Sequence, residues 1–81
     1  MVDLDDWIDY DPGLHDEAIR AHGYEAGTEW LEGEEIPSAD DLLRGYEDYR
    51  RVSLPTADGD DLARVRRLVK AGFRAGKADV A

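Results

Sequence analysis

The sequence predicts an all-α protein, a small bundle of three to four short helices with an extended or single-turn N-terminal segment. Three observations carry this. Apolar residues recur at helical spacing through the second half of the chain, helix-capping residues precede those runs, and β-branched residues are too sparse to build a sheet of consequence. Eighty-one residues make one domain at most, near the lower limit of what folds unaided. The pattern divides it into an acidic aromatic N-terminal segment, 1–11, and a helical domain, 12–81.

In the N-terminal segment Leu4, Trp7 and Ile8 stand at i, i+3 and i+4, one face of a helical turn expected over residues 4–9, with Asp3 as its cap. Asp11-Pro12 reads as the N-cap and first position of a helix over 12–22, with Leu14, Ala18 and Ala21 as its stripe and Ile19 off it. Gly23 or Gly27 is the expected stop, and Thr28 caps a short helical turn over 28–33 carrying Trp30 and Leu31.

Ser38 opens the next helix, 38–51, with Asp40 and Asp41 at the positive end of its dipole. Ala39, Leu42, Leu43, Tyr46 and Tyr49 fall within about 120° of arc. On the other face Asp40–Arg44, Arg44–Asp48 and Glu47–Arg51 are spaced for i,i+4 pairing. Leu54 precedes Pro55, so residues 52–56 are expected to be an extended linker. The last helix, 58–75, is capped by Asp58 or Thr56. Leu62, Val65, Leu68, Val69, Gly72, Phe73 and Gly76 share an arc of about 140°, and Arg66, Arg67, Lys70, Arg74 and Lys77 share another. Gly72 and Gly76 have the small-xxx-small spacing that lets a neighbouring helix approach closely. They also weaken the last turns, which are expected to fray.

The charge divides along the chain. Residues 1–48 hold sixteen acids against Arg20 and Arg44, a balance of −14. Residues 49–81 hold eight bases against four acids, a balance of +4, which together give the −10 of the whole chain. There is no cysteine, hence no disulfide framework or thiolate metal site. No apolar run reaches the roughly 20 residues of a membrane span, and Met1-Val2-Asp3-Leu4-Asp5 lacks the basic and apolar regions of a secretory leader. The expected location is the cytoplasm, or a particle assembled there.

Catalysis finds no support. His15 and His22 are seven apart, without the spacing of a metal-binding pair. Asp58-Gly59-Asp60-Asp61 lacks the twelfth-position glutamate of a calcium loop. Ser38 and Ser53 have no triad spacing, and Gly23, Gly27 and Gly33 do not form a phosphate cradle. No cofactor, metal or small-molecule substrate is implied, and the chain reads as a non-enzyme.

A binding role remains. The leading expectation is a protein-binding or assembly subunit, a viral or phage particle component included, whose partner is another protein or copies of itself. Both ends of so small and charged a chain fray unless something holds them. The expected contact residues are Leu4, Trp7, Ile8, Tyr10 and Trp30, because an acidic aromatic i/i+3/i+4 anchor suits a hydrophobic groove. The basic face of Arg66, Arg67, Lys70, Arg74 and Lys77 is expected to pair with acids of this chain or a neighbouring copy. The alternative is an inhibitor whose carboxylates imitate nucleic acid. The third reading is a nucleic-acid binder using the last helix, although direct nucleic-acid contact is disfavoured by the acidic excess.

Overall fold

The computed structural model describes residues 8–55 and 59–80, and most of them are helical. Strand β1 (Ile8–Asp9) leads into α1 (Pro12–Glu29), α2 (Ala39–Arg50), strand β2 (Val52–Ser53) and α3 (Asp60–Val80). Leu4, Trp7 and the candidate caps Thr56 and Asp58 lie outside the described residues.

Helix starts follow the sequence signals. Asp11 is the N-cap of α1, its side chain accepting the Gly13 N–H at 2.9 Å, and Pro12 fills the first position, where no amide donor is needed. Ser38 caps α2 by accepting the Asp41 N–H at 3.1 Å. The αL conformation of Arg51 (φ 55) closes α2, its N–H donating to Glu47 O at 2.7 Å.

Where α1 ends and which face it buries both differ from the expectation. The helix runs through Gly23 and Gly27 to Glu29, and Ile19, at 0% exposure, is its deepest side chain. Leu14, assigned to the core stripe, is 72% exposed. The buried line is Ile19, Gly23 and Gly27, in steps of four. Sequence periodicity passes over it because two of its three members have no side chain to score.

Those glycines meet the backbone of α3. A Cβ on Gly23 would lie closer than 3.0 Å to the Val69 carbonyl oxygen, and one on Gly27 equally close to that of Phe73. The relation is reciprocal: Gly72 and Gly76 of α3 would collide in the same way with the carbonyl oxygens of Arg20 and Tyr24. In glycine the hydrogen occupying the Cβ direction points at that oxygen, a Cα–H···O arrangement worth about 0.5–1 kcal/mol each. Contact partners rise together along both helices, so α1 and α3 are parallel. The close approach expected of Gly72 and Gly76 is present, and α3 continues unbroken to Val80 where fraying was expected. Burial against α1 offsets the helix-propensity cost of about 1 kcal/mol per glycine.

The expected turns over 4–9 and 28–33 are not seen where residues are described. Ile8–Asp9 is extended and pairs in parallel with Val52–Ser53, with Ile8 N–H donating to Arg51 O (2.9 Å) and Tyr10 N–H to Ser53 O (3.2 Å). The expected linker after α2 is therefore partly a strand. Thr28 lies inside α1, its Oγ1 donating to Glu25 O, and Leu31–Glu34 form a turn that uses Gly33 at φ 97.

Helix α2 covers one side of the pair. Ala39, Leu42, Leu43 and Tyr46 are buried as expected, but Tyr49 is 77% exposed and is not in the core. The core is completed by Val52, Leu54, Leu62, Val65, Val69 and Phe73. No i,i+4 ion pair forms on α2 among the described residues. Asp40 instead accepts two hydrogen bonds from Arg66, at 2.9 and 3.3 Å.

The glycine contacts give a test of sign. In an ordinary helix interior Gly→Ala stabilises by about 0.5–1 kcal/mol, which is expected for Gly45→Ala, whose Cβ would first meet the His22 side chain at 3.4 Å. Gly23→Ala and Gly72→Ala, which drive a methyl into backbone, are expected to destabilise by roughly 1–3 kcal/mol or more. Urea denaturation of the three variants checks this, and stabilisation by either interfacial alanine would contradict the packing.

Candidate functional site

Three described residues of the expected contact set lie in different settings. Ile8 is 58% exposed on β1. Tyr10 is half-buried against the core, and its hydroxyl donates to Asp16 of α1. Trp30 is also half-buried, at the far end of α1, under the Lys77 ammonium at 4.4 Å from the ring centroid. Its indole Nε1 is buried with no hydrogen-bond partner among the described residues. Trp30 is thus anchored in its own molecule, and the structure does not gather Ile8, Tyr10 and Trp30 into one patch.

It gathers Ile8 with Leu14, Ala18 and Tyr46, which the sequence reading assigned to apolar helix stripes, and with residues it did not single out for contact. Ile8, Leu14, His15, Ala18, Tyr46, Arg50 and Val52 line an open cleft between β1, α1 and α2. A smaller depression shares Ala18, Tyr46 and Arg50 with it and reaches Ala21, His22, Glu25 and Tyr49. The two form one continuous face. Leu14 and Tyr49 project from it largely exposed, and Ile8 borders it. The missed signal is negative: once Ile19 and the two glycines are given the core, helical geometry leaves Leu14 on the outside.

A second groove lies toward the C-terminal half of α3. Leu42 and Phe73 are its apolar floor, Ile36 and Pro37 one wall, and Lys70, Arg74 and Lys77 the opposite rim. Elsewhere on the basic face, Arg66 is paired with Asp40. Arg64 lies 3.6 Å from both Asp16 and Asp61. Arg67, Lys70 and Arg74 make no ion pair among the described residues, so the expected pairing of the basic face with the chain's own acids is realised only at Arg66.

Three tyrosines hold their protons more tightly than usual. Tyr10 is raised by burial, then by its hydrogen bond to Asp16, with Arg64 opposing. Tyr24 is raised chiefly by donating to Asp79, and Tyr46 by burial, with Arg50 opposing. A phenol acting as a base needs the opposite shift. Among the described residues no three His, Asp or Glu side chains converge as a metal site would require, and no helix is long and apolar enough to cross a membrane. Comparison with known protein families, curated proteins and solved structures finds no match.

The Tyr10–Asp16 bond ties the entry of the chain to α1, and its pH dependence has a definite sign. Because folding raises the Tyr10 pKa, its stabilisation is complete below the ordinary phenol value of about 10 and is lost as pH rises through the folded value. Tyr10→Phe is expected to cost about 1 kcal/mol near pH 8. The gap to the parent should then narrow above about pH 10. Urea denaturation across that range checks it, and a gap independent of pH would contradict the assignment.

Proposed function

We propose that this chain is a non-enzymatic protein-binding or assembly subunit, working in the cytoplasm or in a particle assembled there, a phage particle among the candidates. The observation that carries this reading is the apolar face around Ile8, Leu14 and Tyr49. All three are more than half exposed, and they flank a cleft floored by Ala18, Tyr46 and Val52. Large side chains gathered on one face of a small acidic protein are costly to solubility and useful for recognition. The face adjoins β1, where the acidic aromatic segment enters the fold, so the segment and this face offer two neighbouring contact surfaces.

A second reading, nucleic-acid contact through α3, draws on the exposed Arg67, Lys70 and Arg74, which have no ion pairs among the described residues. The −14 balance of residues 1–48 opposes it, since the same molecule repels a polyanion at long range.

The test is affinity capture from the native host with the parent and with a Leu14→Glu/Tyr49→Ser variant. Exposed substitutions of this kind change folding by about 0.5 kcal/mol or less each, whereas loss of an aromatic anchor weakens binding by roughly 2 kcal/mol. The expected outcome is specific partners retained by the parent and lost by the variant at an unchanged melting temperature. Identical capture by both proteins would remove the reading.

A further inference from the structure

The groove at the other end of the molecule has a chemistry of its own. Phe73 and Leu42, both nearly buried, form its floor; Ile36, 56% exposed, overhangs it. Lys70, Arg74 and Lys77 follow one another at i, i+4 and i+7 along its rim, and among the described residues no carboxylate lines it. Its volume of about 210 Å³ falls below the roughly 300–1,000 Å³ of small-molecule sites and suits a single large side chain. The fitting occupant is a short peptide with one apolar anchor and acids on both sides of it.

The chain carries such a peptide. Met1-Val2-Asp3-Leu4-Asp5-Asp6-Trp7 offers three carboxylates to the three rim cations, with Leu4 and Trp7 as apolar side chains. We propose that this segment of one copy docks in the groove of a second copy, Trp7 on the Phe73–Leu42 floor and Asp3, Asp5 and Asp6 toward Lys70, Arg74 and Lys77. Docking of Trp7 in the groove of its own copy is opposed by distance. Trp7 directly precedes Ile8, whose N–H is bonded to Arg51 O beyond the end of α2. Leu42, on the groove floor, stands eight residues before Arg50, about 12 Å along α2 at 1.5 Å per residue. The contact joins two different surfaces and is therefore heterologous: repeated, it yields a ring or an open chain of subunits. The inference rests on the assembly reading above and adds to it a second surface, whose partner is another copy of this chain.

The experiment is sedimentation of the full chain at about 20 mM and about 500 mM salt, which moves the screening length from above 20 Å to below 5 Å. The expected result is concentration-dependent self-association at low salt, weakened about tenfold or more at high salt. Lys70→Glu/Arg74→Glu and Asp5→Lys/Asp6→Lys should each be monomeric alone. An equimolar mixture of the two should associate again, because each restores the other's complement. Trp7→Ala should lose association at an unchanged melting temperature. A parent that stays monomeric at both salts, association indifferent to the groove reversals, or a mixture that stays monomeric overturns the proposal. So does a monomeric parent that binds duplex DNA through Lys70 and Arg74. The Leu14→Glu/Tyr49→Ser protein should self-associate as the parent does. Loss of its capture with self-association intact separates the two surfaces, so either can fail alone.

Discussion

Two parallel helices in backbone contact through four glycines are the constraint on which this fold depends. Gly23 and Gly27 of α1 and Gly72 and Gly76 of α3 each face a carbonyl oxygen of the other helix where any side chain would collide. The geometry is familiar from membrane helix pairs, but here the exposed faces carry charge and the pair is stabilised in water. Close approach lets Ile19, Val65 and Val69 exclude solvent completely in a chain with little apolar material to spare. Parallel helices also require a return path along their length. Helix α2 supplies it, and the short strands that precede α1 and follow α2 come together in parallel.

How far the sequence speaks for itself differs from helix to helix. In α2 and α3 the buried residues are aliphatic or aromatic and recur at helical spacing, so both helices and nearly all of the α3 core face are legible. Asp11-Pro12 and Ser38 mark their helix starts correctly because capping is local chemistry. In α1 the same reasoning inverts the helix, since the buried line is written mostly in glycine, the residue that ordinarily signals a stop. Tyr49 is misplaced for a related reason: it continues the α2 stripe by angle, but the helix ends over the α1–α2 cleft, where no described residue covers it. The strands are illegible because each has two residues and their pairing is set by where α1 and α3 place their ends.

The candidate surfaces follow from the same packing. A core closed by glycine contacts uses Ile19 and releases Leu14 to the surface, where it joins Ile8 and Tyr49. Of the contact residues expected from sequence, Ile8 is part of that face, Tyr10 and Trp30 are held by Asp16 and Lys77, and Leu4 and Trp7 lie outside the described residues. The charge division has a partial structural echo. Arg66 and Arg64 bind acids of the first half across the fold, exposed pairs of at most about 1 kcal/mol each, while Lys70 and Arg74 make no ion pair among the described residues.

The central claim is the parallel, glycine-mediated register of α1 and α3, and nuclear Overhauser contacts from the glycine Hα protons measure it directly. The account predicts contacts from Gly23 Hα to residues 69–73 and from Gly27 Hα to residues 73–77. Reciprocal contacts should run from Gly72 to residues 20–24 and from Gly76 to residues 24–28. Contacts that descend along α3 as α1 ascends, or none between the two sets of glycines, would contradict it.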